Sequence, residues 1–211
     1  MENMFLNCGR LALKSLDLRE NFNTIGVTNM EGMFAGLGYD TLTSLNLGNQ
    51  FYTNNVTNMR HMFWDCGIRA LENLTLGDKF NTSSVQNMYG MFLATESPRL
   101  KTLDLGPAFI KIASEHEYMF GVATGTGSCV VYAPESIYRN SQAFRLNSTD
   151  TTGSIAVGDG RTVVLKYAPK IEKVSINTDR QTKVQTIVFN VTDKYFNTSN
   201  DITSNNIKVY D

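Results

Sequence analysis

The stretch Leu42–Leu47 (LTSLNL), followed by Met59–Phe63 (MRHMF), decides the fold, because both patterns recur every 29 residues. The leucine pattern L-x-x-L-x-L begins at Leu13, Leu42, Leu71 and Leu100. The pattern M-x-x-M-F begins at Met1, Met30, Met59 and Met88, and a degraded copy ends at Phe120. A fixed period of this length is typical of stacked units that cannot bury their apolar faces alone. We therefore expect an α/β repeat protein.

Each repeat predicts two short elements. The leucine pattern ends in strict alternation, which is typical of a short strand with one buried face. The spacing i, i+3, i+4 in Met59, Met62 and Phe63 favours a short helix or 3₁₀ turn that points all three side chains inward. Asparagines recur between the two elements, and we expect a ladder of hydrogen bonds along Asn29, Asn58 and Asn87.

The three cysteines predict no disulfide. Cys8 and Cys66 stand two repeats apart, which is about 10 Å at a strand spacing of about 4.8 Å. A disulfide needs Cα atoms within about 7 Å. We expect both to be small buried residues, and Cys129 to lie in the last strand of the repeats.

Composition and motifs exclude several function classes. The 211 residues carry a formal net charge of −1 and no basic stripe, which disfavours nucleic acid as a partner. No apolar run is long enough to insert into a membrane. His116-Glu117 opens like a zinc-protease motif, but Phe120 stands where the second histidine is needed. We expect no catalytic residues, no metal, no cofactor and no enzymatic activity.

The pattern of apolar and polar residues changes along the chain and predicts three parts. Residues 1–132 carry the repeats, and the first copy begins inside a repeat, as expected for a fragment of a longer protein. In strict phase, Ser114 and His116 replace the valine and asparagine of the last copy. Residues 133–153 are predicted to form a cap, with a short helix after Pro134, and a linker. Residues 154–211 alternate as β-strands do.

The repeat resembles that of a known family. L-x-x-L-x-L followed by F-x-T-x-x-V-x-N-M-x-x-M-F, as in Phe51–Phe63, is similar to the leucine-rich repeats of BspA-like bacterial surface proteins. Related copies occur in mycoplasma lipoproteins and in Gram-positive cell-wall proteins. The resemblance covers residues 1–132 and implies a right-handed leucine-rich-repeat solenoid, located outside the cell and used for attachment or recognition. The standard pattern places Asn or Cys three residues after the last leucine, and only Asn21 obeys it.

The C-terminal segment resembles a bacterial immunoglobulin-like module, but it is too short for a complete sandwich of about 100 residues. Half a sandwich leaves an apolar face and open strand edges. We expect this face to pack on the repeats or to be completed by another molecule through self-association. The alternative is that the module is itself incomplete in this sequence.

The candidate binding residues are the outward positions that vary while the leucines do not. On and just after the strands these positions are Asp17, Arg19, Asn46, Thr75 and Asp104. The alternative is that they are merely solvated.

Trp64 is a further candidate, because it follows the predicted core residue Phe63 where Ala35 and Leu93 stand in other copies. An exposed indole there can anchor a protein or a sugar. Packing against a neighbouring repeat is the alternative.

The sequence as a whole favours a non-enzymatic recognition or adhesion module of a bacterial cell surface or cell wall. Its expected partner is a host protein, a matrix component or a glycan. The alternative is a structural spacer whose repeats present other domains of a larger surface protein.

Overall fold

The structure is a computed structural model that describes residues 1–94, 99–120, 127–134, 137, 154–156, 161–167, 171–178 and 185–191. The chain divides into two compact units, Met1–Ala168 and Pro169–Asp211. The β-rich segment predicted at residues 154–211 therefore spans this division.

The first unit is a stack of similar coils, each made of one repeat. We number them coil 1 (residues 1–29), coil 2 (30–58), coil 3 (59–87), coil 4 (88–115) and coil 5 (from 116). Each coil contains one strand, and the five strands are β1 (Ser15–Asp17), β2 (Ser44–Asn46), β3 (Asn73–Thr75), β4 (Thr102–Asp104) and β5 (Gly127–Ala133). β1 pairs with β2, β3 with β4, and β4 with β5, all in parallel. Leu16 lies opposite Leu45, and Leu74 opposite Leu103. Residues that are one repeat apart in the sequence therefore lie side by side in neighbouring coils.

The segment predicted as a short helix or 3₁₀ turn is instead a run of β-turns. In coil 2 the N–H of Met33 donates to Met30 and that of Ala35 to Gly32. The intervening N–H groups donate to the next coil, for example Gly32 to Arg60 and Phe34 to Met62. A helix would need those N–H groups for its own i→i−4 bonds, so bonding between coils excludes it. We call this segment, which covers residues 30–36 in coil 2 and the matching residues of the other coils, the turn run.

Left-handed residues make the turn run possible. Coil 2 has Gly32 at φ 59° and Gly36 at φ 63°, and coil 3 has His61 and Asp65 at φ 54° in the matching places. Such backbone suits glycine and strains most other residues.

Two ladders of stacked phenylalanines fill the interior. One ladder starts from the strand side and contains Phe22, Phe51, Phe80 and Phe109. The other follows the turn runs and contains Phe5, Phe34, Phe63, Phe92 and Phe120. The methionines of the repeat lie beside them, and those of coils 2 to 4 are fully buried. The methionines of coils 2 to 4 are therefore core residues, as the sequence predicted, whereas Met1 and Met4 of coil 1 are exposed.

Polar residues also link the coils. The buried hydroxyl groups of Thr24, Thr53 and Thr82 donate to carbonyls of the following coil at 2.6–2.7 Å. The ladder predicted along Asn29, Asn58 and Asn87 exists in the backbone, where the three form parallel bridges. Their side chains do not bond to one another, because each Oδ1 accepts an N–H two residues later and each Nδ2 donates to a glutamate.

Coil 4 is one residue shorter than the coils before it, which corrects the predicted phase of the last copy. Glu115, rather than His116, bridges to Asn87. Ala113 is buried in the place of the valine, whereas Ser114 is exposed. The missing residue moves every later side chain by one position.

Beyond coil 5, Ile137 is helical and buried, while the other residues of the predicted capping helix lie outside the described residues. β6 (Ser154–Ala156) and β7 (Arg161–Tyr167) pair antiparallel, and β7 extends the sheet by pairing with β5 in parallel. In the second unit, β8 (Ile171–Thr178) pairs antiparallel with β9 (Gln185–Val191).

Candidate recognition surface

An open groove runs across coils 1 to 3 at the point where each strand ends. Its volume is about 800 Å³. Coil 1 contributes Asp17, Arg19, Glu20 and Asn21, coil 2 contributes Asn46, Gly48 and Asn49, and coil 3 contributes Gly77, Asp78 and Lys79. We call this surface the strand-end groove. It brings together three of the predicted binding residues, namely Asp17, Arg19 and Asn46.

Three of the predicted outward residues also shape the turn that follows their strand. Oδ1 of Asp17 accepts the N–H of Arg19 at 2.9 Å, and Oδ1 of Asn46 accepts the N–H of Gly48 at 3.0 Å. Asp104 does the same for the N–H two residues later. Such bonds stabilise turns locally. These side chains therefore have a structural task in addition to any role in binding.

The remaining predicted residues lie outside the groove. Thr75 is exposed on β3, and Asp104 is half-buried on β4. Neither lines the strand-end groove. Glu20, Asp78 and Lys79 also line the groove but were not predicted from the sequence. They follow the strands, and strand alternation does not predict the direction of a side chain beyond the end of a strand.

Trp64 lies in the turn run of coil 3, away from the groove residues in sequence, and it is only partly exposed. Its ring contacts the imidazole of His61, with ring centroids 5.2 Å apart. Its indole Nε1 is buried and has no hydrogen-bond partner among the described residues.

An aromatic row continues from this pair across coils 3 to 5. The rings of His61 and Tyr89 are 5.5 Å apart, and those of Tyr89 and Tyr118 are 5.6 Å apart. His61 and Tyr118 both have left-handed backbone, at φ 54° and 56°. Gly90 has φ 57° and allows the close approach of His61, since a Cβ there would lie 2.6 Å from the ring. A sequence signal existed, because His61 stands where Gly32 and Gly90 stand in neighbouring copies.

The surroundings of His61 favour its neutral form. Burial, with the charge of Arg60 adding to it, lowers the pKa of His61 below its ordinary value, and Glu31 opposes this shift. Arg60 itself is 3.4 Å from Glu31 and its guanidinium lies over the ring of Tyr89.

This depressed pKa predicts a pH dependence of stability. The unfolded chain binds a proton at His61 more readily than the folded chain does. The stabilising contribution is therefore complete above the ordinary histidine pKa of about 6.5 and is lost as the pH falls below it. We expect the free energy of unfolding to fall less between pH 7 and pH 5 in the variant His61→Asn, measured by urea unfolding. Asparagine is the matched choice, because Asn3 holds the equivalent left-handed position. An equal slope in both proteins would contradict the prediction.

The described residues offer little covalent or metal chemistry. Among them, no three His, Cys, Asp or Glu side chains lie close enough to hold a metal ion. The thiols of Cys8 and Cys66 form no disulfide, and Cys129 lies in β5, the last strand of the repeats, as predicted. Part of the Cys66 residue is exposed, but burial of its thiol raises the pKa of Cys66 to about 12. Cys8 is exposed, so its predicted burial is wrong, because coil 1 is covered by a neighbouring coil on one side only.

Comparison with known proteins places the repeats in a family. Residues 1–126 match the family described as "Mycoplasma protein of unknown function, DUF285". The chain belongs to this family. The DUF285 match covers coils 1 to 4 and the start of coil 5, so it includes every residue of the strand-end groove and the aromatic row. No match was found among curated proteins or among solved structures. The described part of this DUF285 protein also contains no helix of the length and apolarity that a bilayer crossing requires.

Proposed function

We propose that this chain is a non-enzymatic recognition module of a bacterial cell surface, built as a BspA-like leucine-rich-repeat solenoid. Its partner is a host protein, a matrix component or a glycan, bound outside the cell. One observation carries the proposal: the strand-end groove is lined by residues that vary from coil to coil, among them Asp17, Arg19 and Asn46, while the buried residues repeat. A constant scaffold with a variable exposed surface is how repeat proteins bind partners.

The exposed residues of the groove are suited to a polar partner. Glu20, Asn21, Asn49, Asp78 and Lys79 are all exposed, and they supply charges of both signs together with amide groups. A surface of this kind binds through hydrogen bonds and paired charges at a wet interface.

The groove is tested by replacing exposed residues whose side chains form no hydrogen bond within the described residues, although the Lys79 ammonium group lies 5.9 Å from the centre of the Tyr52 ring. We expect the variant Glu20→Gln/Asn21→Ser/Asn49→Ser/Lys79→Gln to lose at least about tenfold in affinity, or about 1.4 kcal/mol, for any probe that the native chain binds. The measurement is binding of the immobilised chain to an array of purified matrix proteins and mammalian glycans, followed by titration of each hit.

A matched control carries Asn54→Ser and Gln86→Ser, two exposed residues outside the groove. Equal affinity in both variants would place binding elsewhere on the chain and overturn the groove. Unfolding curves of all three proteins show whether a loss of binding comes from a loss of structure.

A structural spacer is the second candidate, and the hydrogen bonds of Asp17, Asn46 and Asp104 favour it. Because their Oδ1 atoms shape the turns after the strands, part of the outward surface serves the scaffold itself. A chain that binds no probe on the array, and whose groove variant leaves cell attachment unchanged, is a spacer.

A further inference from the structure

Arg19 is exceptional within its row of equivalent residues. The other members of the row are Gly48, Gly77 and Gly106, with φ of 74°, 81° and 72°. Arg19 adopts the same left-handed backbone at φ 55°. Glycine populates this region freely, whereas a residue with a Cβ is strained there. Arginine at this position therefore costs stability that glycine would not.

No contact within the described residues accounts for this arginine. Its guanidinium makes no hydrogen bond, ion pair or stacking contact with any described side chain, and the residue is exposed in the strand-end groove. The N–H of Arg19 donates to Asp17, but any residue other than proline supplies that bond. Strained residues that the fold itself does not need are concentrated at functional sites.

The charges around Arg19 favour one class of partner. The groove contains the cations Arg19 and Lys79 and the anions Asp17, Glu20 and Asp78. A polyanionic glycan would be repelled by the three carboxylates, whereas a peptide segment can present both signs of charge. Arg19 lies in coil 1 and Asp78 in coil 3, two strand spacings or about 10 Å apart. A peptide in the polyproline II conformation has three residues per turn and rises about 3.1 Å per residue, so side chains three residues apart lie on the same side at about this separation.

We propose that Arg19 binds a carboxylate of a peptide segment in the polyproline II conformation in the partner protein, while Asp78 binds a basic side chain about three residues away. The guanidinium offers two parallel N–H donors to a carboxylate, a geometry that lysine cannot reproduce. The proposal rests on the proposed function and names its partner class.

The test uses the full chain and a synthetic peptide array. Each ten-residue peptide carries one Glu and one Lys in a Ser/Asn background, at every separation from one to six residues and in both orders. We expect the strongest binding at a separation of about three residues. Arg19→Gly is expected to weaken that binding at least tenfold, and Arg19→Lys to weaken it by a similar factor. Because Arg19→Gly removes strain, its Tm is expected to rise by roughly 2–4 °C, which shows that the variant is folded.

A reversal of charge separates specific pairing from general attraction. Asp78→Lys is expected to shift the preference from peptides with Glu and Lys to peptides with two Glu at the same separation. Unchanged peptide binding in Arg19→Gly overturns the inference, and so does an Asp78→Lys variant with its preference unchanged. Binding of matrix proteins or glycans that depends on the groove, without binding of any peptide, overturns the inference while the proposed function stands.

Discussion

Phe51→Ala is expected to lower the free energy of unfolding by about 3–5 kcal/mol. Phe51 is fully buried and stacks between Phe22 and Phe80 at ring distances of 6.4 and 6.2 Å. It also meets Phe34 of the second ladder at 6.0 Å, so it joins the two ladders. Truncation removes apolar contacts on three sides and leaves a cavity that the stacked coils cannot close. Urea unfolding followed by circular dichroism measures the loss.

Two further variants show whether position in the stack determines this loss. Phe51→Leu keeps most of the volume and is expected to cost less than about 2 kcal/mol. Phe22→Ala removes the same atoms from coil 1, where the ring is only half-buried. We expect it to cost clearly less than Phe51→Ala, and equal losses would contradict the ladder as described.

Gly48→Ala is expected to cost about 2–5 kcal/mol, from overpacking and left-handed strain together. A Cβ at Gly48 would lie 2.1 Å from the carbonyl oxygen of Arg19 in the preceding coil. That oxygen belongs to the backbone and cannot move unless the two coils separate. The loss therefore reports on the tight stacking of coils 1 and 2.

Gly77→Ala is the matched control, because Gly77 has the same left-handed backbone at φ 81° but nothing within 4 Å of its Cβ position. We expect it to cost only the strain, about 1–2 kcal/mol. Thermal unfolding of both variants compares them directly. If Gly77→Ala lowers the stability as much as Gly48→Ala does, the clash of the new Cβ with the carbonyl oxygen of Arg19 is not the cause of the loss at Gly48.

The period of the sequence predicts the pairing of the coils, because residues one repeat apart have the same environment. Leu45 is thus opposite Leu16, and the leucine, methionine and phenylalanine positions are buried together. The conformation of the turn run was not predictable from spacing alone. A helix and a run of turns both bring Met59, Met62 and Phe63 to one side, and only the bonds between coils decide between them.

The site was predictable where strand alternation defines orientation. Asp17 and Asn46 follow from the alternation on their strands, and they line the groove. Asp78 and Lys79 lie after a glycine turn, where no periodicity fixes the direction of a side chain. The aromatic row of His61, Tyr89 and Tyr118 was not predicted for a different reason. Its members contact one another between coils, and the pattern within one repeat does not indicate such contacts.

The bonds that one turn run donates to another all point the same way along the stack, whereas just beyond the turn runs the N–H groups of Gly38 and Gly67 donate back to the preceding coil. In each pair of coils the earlier turn run supplies the N–H groups and the later one supplies the carbonyl groups, as with Phe5 to Met33 and Phe63 to Met91. Each turn run therefore has one side of N–H groups, facing the next coil, and one side of carbonyl groups, facing the preceding coil. Two turn runs stacked in opposite directions would place carbonyl against carbonyl or N–H against N–H. Growth of such a protein by duplication is consequently directional. Whole coils can be added in tandem, each about 4.8 Å of new length, without a new kind of contact.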